Sequence, residues 1–205
     1  MSLYTERVLP RIVDRLCALD PAPELRARVC EGLAGDVVEI GFGSGLNLPF
    51  YPTEISKVSA VEPAELGWKL AAARLGATSI PVERAGLDGQ SLPFADDSFD
   101  AAVSTWTMCT IPDIDAALRE LRRVLKPGGE LHFVEHGLAP DEEVQRWQHR
   151  LTPLQKRLFG GCHLNRQVPD LLRSAGFEIR ELDQFYEEGT PKILGAESLG
   201  VAVSP

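Results

Sequence analysis

Val37-Val38-Glu39-Ile40-Gly41-Phe42-Gly43-Ser44-Gly45 is the stretch on which the fold of this chain turns. A β-branched run passes straight into glycines at alternate positions, and residues 46–50 follow as a short helix. Glycine carries no Cβ, so the backbone can turn sharply at the carboxyl end of a strand and lie close to a ligand there. Taken alone, such a triplet suits an ordinary tight loop equally well. The elements on either side decide between the two.

Toward the N-terminus, Leu9, Ile12, Val13 and Leu16 recur at three and four residues, which predicts an amphipathic helix ending before Asp20-Pro21-Ala22-Pro23. A second short helix is expected over residues 25–31. Toward the C-terminus, strands are expected over 58–62, 80–84, 99–104 and 131–135. Between them, Pro63 opens a helix with Leu66, Leu70 and Ala73 on one side. Asp113 is placed to cap another, with Ile114, Ala117, Leu118, Leu121, Val124 and Leu125 as its apolar stripe and Lys126-Pro127-Gly128-Gly129 closing it. Val168, Leu171, Leu172 and Ala175 mark a last helix stopped at Gly176, and strands near 177–182 and 199–203 finish the chain. Early alternation and late pairing predict a three-layer, doubly wound α/β fold with a seven-stranded, mostly parallel sheet ending in an antiparallel hairpin.

The 205 residues fit one domain, since single cores grow to roughly 250 residues before splitting. A formal charge of -9 repels polyanions, so nucleic acid is not expected as a partner, nor an anionic membrane surface. The four cysteines, Cys17, Cys30, Cys109 and Cys162, form no C-x-x-C pair, which argues against a zinc site or a dithiol centre; no metal is expected. Met1 to Pro10 carries Glu6 and Arg7 and offers no secretory core, and no run of ~20 apolar residues exists. A cytoplasmic protein with reduced thiols and no integral membrane segment is expected.

Glu62 closes the second expected strand about 20 residues after the glycine turn, where an acid can accept from both hydroxyls of a ribose. The dinucleotide fingerprint G-x-G-x-x-G would need glycine where Leu46 stands, so NAD is not the expected ligand. Three alternate glycines preceded by Glu39 suit a different adenosine cofactor.

Glu39-Ile40-Gly41-Phe42-Gly43-Ser44-Gly45 resembles motif I of the class I S-adenosylmethionine (SAM) methyltransferases. Asp88-Gly89-Gln90-Ser91-Leu92-Pro93-Phe94 with Ser98-Phe99-Asp100 resembles the family's D-A-E-x-L-P-F…S-F-D stretch, and Arg123-Val124-Leu125-Lys126-Pro127-Gly128-Gly129 its R-V-L-K-P-G-G. The resemblance implies a Rossmann-like methyltransferase fold with SAM as cofactor and S-adenosylhomocysteine as product. It implies that Gly41, Phe42, Gly43, Ser44 and Gly45 cradle the methionine part, with Glu39 before them. Glu62 and Pro63 would lie at the ribose, Asp88 would accept from the adenine amino group and the Gly89 N–H would donate to a ring nitrogen, with Thr105 at the same edge. Residues 1–34 are then expected as a helical cover, 35–136 as the SAM-binding core, 137–167 as a substrate-cover insertion and 168–205 as the last helix and strands.

The loop after the fourth strand, Ser104-Thr105-Trp106-Thr107-Met108-Cys109, lacks the N-P-P-Y or D-P-P-Y of amino-group methyltransferases that act on bases or glutamine. Glu135-His136, Trp147, Gly161-Cys162 and Arg166 resemble the small alkyl-thiol methyltransferases, as do Tyr4, Asn47, Tyr51, Cys109 and Gly200-x-Ala202. Some of those relatives carry Asn where His163 stands here, and their membrane-bound members have an N-terminal anchor. Methyl transfer is an in-line displacement in which positioning supplies most of the rate. A thiol is already a few per cent ionised at pH 7, so a weak base suffices. His136 and His163 are the candidate bases. Trp106, Met108, Trp147 and Phe159 are candidates for an apolar pocket, and Cys109 and Cys162 are expected as buried structural thiols. The expected function is methyl transfer from SAM to a small apolar molecule, first a thiol or sulfide. C-methylation of a quinone-type or lipid ring, or non-catalytic SAM binding, are the alternatives. Oligomeric state stays open, since the Leu9-Ile12-Val13-Leu16 stripe suits a second chain as well as a pocket cover.

Overall fold

A computed structural model describes residues 8–19, 21–86 and 88–205; Tyr4, Glu6, Arg7 and Asp20 lie outside the described residues. Seven strands form one sheet: β1 (Gly35–Ile40), β2 (Ile55–Val61), β3 (Val82–Gly86), β4 (Phe99–Thr105), β5 (Leu125–His136), β6 (Glu178–Tyr186) and β7 (Ala196–Val203). Their order is β3-β2-β1-β4-β5-β7-β6. β1 pairs in parallel with both β2 and β4, and β7 runs antiparallel between β5 and β6. The helices are α1 (Leu9–Leu16), α2 (Ala22–Cys30), α3 (Glu65–Leu70), α4 (Ala72–Ala77), α5 (Ile114–Val124), α6 (Glu142–Leu158) and α7 (Val168–Ser174).

Side chains alternate across a strand, so each strand feeds two cores. Val38 and Ile40 of β1 pack with Ala102, Leu131 and Phe133 against Leu118 and Leu121 of α5 and Leu172 of α7. Val37, one residue out of phase, packs on the other face with Val58, Ala60, Ala101 and Val103 against Leu25, Val29 and Cys30 of α2. Helices on both faces give the expected three layers. Each fully buried Leu or Phe in these cores contributes about 1.5–3 kcal/mol. The Asp113 carboxylate accepts from Ala116 N at 2.9 Å and starts α5, a cap worth ~1 kcal/mol.

Three local expectations change. Residues 46–50 form only a 3-10 turn, Leu48–Phe50. The helix after Pro63 breaks into α3 and α4, and its buried side carries Gly67 and Ala71 while Ala73 is exposed, because α3 lies directly on the glycine turn. Lys126-Pro127-Gly128-Gly129 does not close the helix ahead of the strand: β5 begins at Leu125, opposite Phe99. Backbone bonds from Gly128 N to Ser204 O and from Ser204 N to Gly129 O draw that segment into the sheet edge.

Candidate active site

Strand order reverses between β1 and β4, which is where ligands bind in open α/β sheets. A cleft of about 640 Å³ opens at this point, walled by the carboxyl ends of β1, β2 and β4. Gly41 has a φ of +70°, and a Cβ there would strike the Thr107 side chain in the loop after β4. A Cβ on Gly67 would stand 2.9 Å from Gly43 O, so α3 can approach the turn only through a glycine. The Glu62 carboxylate ties the two sides together: Oε2 accepts from Gly43 N at 2.7 Å and Oε1 from Ala64 N at 2.6 Å. Burial pushes this carboxyl above its ordinary range while those two N–H groups pull it back.

The wall includes Gly41, Phe42, Gly43, Ser44, Glu62, Pro63, Asp88, Gly89 and Thr105 among the residues expected from sequence. Glu39 and Gly45 are not among the wall residues. Glu39 lies behind the turn, 1% exposed, and accepts from Asn47 Nδ2 at 2.8 Å and from the Tyr51 hydroxyl. Desolvation raises its pKa to about 7 against the pull of those two donors. Asn47 Oδ1 in turn accepts from Arg26 Nη1, which also donates to Thr105 Oγ1 at 3.1 Å. Arg26 thus reaches the cleft wall from α2 on a fully buried polar strut, with its guanidinium 4.8 Å from the Trp106 ring centroid. Its Nε is buried without a partner among the described residues.

The loop after β4 forms the floor. Trp106 has a φ of +49°, a conformation costing a bulky residue about 1–3 kcal/mol, and its indole N–H donates to the buried Glu197 carboxylate at 3.2 Å. Glu135, fully buried in β5, holds this loop: its Oε1 accepts from Ser104 Oγ at 2.7 Å, Thr107 N at 2.8 Å and Met108 N at 3.1 Å. Arg166 holds it from the other side, donating to Met108 O and to Ile111 O.

Neither candidate base belongs to the cleft wall. His136 Nε2 lies 2.9 Å from Cys162 Sγ, and burial lowers its pKa to about 4. His163 Nδ1 lies 3.0 Å from Cys109 O. Of the expected apolar pocket, Trp106 and Phe159 line the cleft. Met108 points into the core at 0% exposure, and Trp147 stands 48% exposed on α6 beneath Arg150. Gln148 and Thr152 are the buried residues of α6, and Gln148 bonds Ala139 N, Gly137 O and Ile193 O.

Among the wall residues that sequence reasoning missed are Arg26, Asp14, Gly67 and Cys17. Pro10, Val13 and Asp14 of α1, Cys17 just after it, and Phe159 and Gly160 after α6 also line the wall. Arg74 fastens α1 to the turn, donating to Ser44 O at 2.9 Å and to Asp14 Oδ1 at 3.2 Å.

A family model described as a methyltransferase domain matches residues 38–133. Over 171 residues the chain is 30% identical to thiol S-methyltransferase TMT1A of Homo sapiens, covering 82% of this chain and 70% of that protein. The chain belongs to the SAM-dependent methyltransferase family. This family member is also 33% identical over 151 residues to thiol S-methyltransferase TMT1B of Rattus norvegicus, covering 72% of this chain and 62% of that one. It thus spans roughly two thirds of the length of these relatives. A SAM-dependent methyltransferase from Aquifex aeolicus shares its fold, with a TM-score of 0.66 at 18% identity over 96% of this chain and 98% of that chain. SAM is the cofactor of this family. The cleft fits it: among the described wall residues the charged side chains are Asp14, Glu62 and Asp88 against Arg26, a balance that favours a sulfonium cation. The buried Arg26 Nε, without a partner among the described residues, is a donor that suits a carboxylate such as the one SAM carries. Among the described residues, no helix is long and apolar enough to cross a membrane.

Proposed function

We propose that this chain moves a methyl group from SAM to the sulfur of a small apolar thiol. On this reading the Glu62 carboxylate accepts from the ribose hydroxyls, Asp88 and the Gly89 N–H meet the adenine, and Arg26 receives the methionine carboxylate. SAM, when bound, supplies an electrophilic methyl on a sulfonium. The chain's own part is to hold, orient and dry the acceptor.

The observation that carries the acceptor class is the composition of the wall outside the sheet. Pro10, Val13 and Phe159 with Trp106 offer apolar surface, and the ionisable proton acceptors among the described wall residues are carboxylates. An acceptor that needs a strong base, such as a phenol-type hydroxyl, is poorly served by that set. A thiol is well served, because its ionised fraction at neutral pH is already appreciable. Asp14, on α1 in the wall, is the carboxylate assigned to take the S–H proton. The names of the TMT1 relatives agree with a thiol.

Incubation of the purified chain with methyl-labelled SAM and separate alkyl thiols, quinols, phenols and phosphatidylethanolamine tests this. Label is expected on the thiol sulfur. Label on a quinol ring with none on any thiol would overturn the acceptor class while leaving methyl transfer standing. SAM binding without label in any product would favour the non-catalytic alternative.

A further inference from the structure

The absence of a C-x-x-C pair argued against a metal in this chain, but tertiary structure gathers donors that sequence spacing keeps apart. Cys109 follows β4, His136 ends β5 and Cys162 follows α6. Their ligand atoms all lie within 4.8 Å of one another, with Cys162 Sγ 2.9 Å from His136 Nε2. The thiols are 2% and 5% exposed. None of the three residues belongs to the cleft wall, so the methyl-transfer reading leaves all three without a task.

Two sulfurs and one imidazole nitrogen form a soft donor set. Such a set selects Zn2+ or Cu+ over Mg2+, Ca2+ or Mn2+, which prefer oxygen. Zn–S bonds of about 2.3 Å and Zn–N bonds of about 2.0–2.1 Å place ligand atoms around one ion roughly 3.5–4 Å apart. The present triangle brackets that separation, and its widest side needs to close by about 1 Å at most. The three residues sit on well-anchored backbone. His163 N donates to Cys109 O at 2.9 Å, and Gln155 Nε2 stands 3.7 Å from Cys162 Sγ. Arg166 ties the Cys109 loop at Met108 O and Ile111 O.

We propose that Cys109, His136 and Cys162 form a binding site for one thiophilic d10 cation, Zn2+ or Cu+, with a fourth position left to an outside ligand. The two thiols release their protons to solvent on binding. The ion fastens the loop that carries Phe159 and Gly160 to the carboxyl ends of β4 and β5, and so fixes part of the cleft wall.

The test uses the full chain, reduced and freed of metal with a chelator, then titrated separately with Zn2+, Cu+ and the spectroscopic probe Co2+. One equivalent is expected to bind, with thiolate-to-cobalt charge-transfer bands and the visible bands of tetrahedral Co2+. Melting temperature is expected to rise by about 5–10 °C at a hundredfold excess over Kd. Competition with chromophoric chelators decides which of the two ions binds. Cys109→Ser and Cys162→Ser each lose the charge-transfer bands, whereas Cys17→Ser and Cys30→Ala keep them. Should the serine variants fail to fold, X-ray absorption on the wild-type chain gives an independent answer: two sulfurs and at least one nitrogen are expected around the metal. Failure of the wild-type chain to bind either ion overturns the proposal, as does cobalt absorption without thiolate character, or absorption that survives Cys162→Ser. A Cys109–Cys162 disulfide that persists under reductant and blocks binding also overturns it. These readouts require no methyl acceptor, so they stand apart from the test of the proposed reaction.

Discussion

Replacing Glu62 by Gln removes one negative charge from the end of β2 and turns one carboxylate oxygen into an amide nitrogen at nearly constant volume. The native carboxylate is 7% exposed, and each oxygen already accepts a backbone N–H, from Gly43 at 2.7 Å and from Ala64 at 2.6 Å. Hydrogen bonds to a charged group contribute about 1.5–3 kcal/mol each. Gln keeps one acceptor but sets an N–H against an N–H at the other, so unfolding free energy falls by about 1.5–3 kcal/mol. In the proposed complex the same oxygens use their remaining lone pairs on the ribose hydroxyls. Loss of one such bond raises the SAM dissociation constant about 10- to 100-fold. Urea denaturation reads the first effect and calorimetric titration with SAM the second. A Kd within threefold of wild type, in a variant that shows the expected destabilisation, would refute the ribose assignment. Wild-type stability would refute the view that Glu62 braces the glycine turn.

Glu39→Gln tests burial of the other acid. With a folded pKa of about 7 against 4.5 unfolded, the protonated native form contributes stability that is fully present below pH 4.5 and lost as pH rises to about 7. Relative to wild type, the Gln variant is therefore expected to gain about 3 kcal/mol between pH 4.5 and 7.5, and parallel stability curves would contradict that. Gly67→Ala puts a methyl 2.9 Å from Gly43 O, a backbone atom that cannot swing aside; a loss of about 1–3 kcal/mol by denaturation and weaker SAM binding by titration are expected. Asp14→Asn is expected to lower kcat/KM for a thiol roughly tenfold, less than for a full general base because the thiol is partly ionised; an unchanged value removes Asp14 from the chemistry.

The order of elements was legible because it rests on local chemistry. Alternate glycines after Ile40, the Asp113 cap and the glycine at position 176 each act within a few residues of themselves. The edge at which the cleft opens was legible for the same reason: glycine turns and strand-end acids are defined by where a strand stops. Arg26, Asp14 and Gly67 were not, since each lies on a helix whose cleft-facing side is set by what it packs on. Gly67 does carry a signal, a glycine inside a helical pattern, which marks a close approach to something. His136, one residue past the strand expected over 131–135, ends β5, but period-2 alternation turns it away from Glu135, and it meets Cys162 instead of the cleft. The K-P-G-G segment reads as a helix stop until Ser204, three quarters of a hundred residues later, supplies its hydrogen bonds.

The loop after β4 links the two halves of the site. From below, the Glu135 carboxylate accepts two of its backbone N–H groups; from the side, Arg166 takes two of its carbonyls. Thr107 fills the space that Gly41 leaves open, so the glycine turn rests against the same loop. Trp106 keeps a left-handed backbone between Arg26 and Glu197, one residue beyond the Thr105 hydroxyl that Arg26 contacts. Arg166 also belongs to the segment after α6, and Leu138 N bonds its carbonyl, so that segment is anchored to the floor of the cleft. A floor held from three directions has little freedom to adjust one end without the other. Arg166→Lys keeps the charge but replaces the planar fork with a single ammonium, which cannot span Met108 O and Ile111 O in the same way. Its effect is therefore expected on SAM affinity as well as on KM for the acceptor, although Arg166 does not belong to the cleft wall. A KM change with SAM binding untouched would show that cover and cradle move independently.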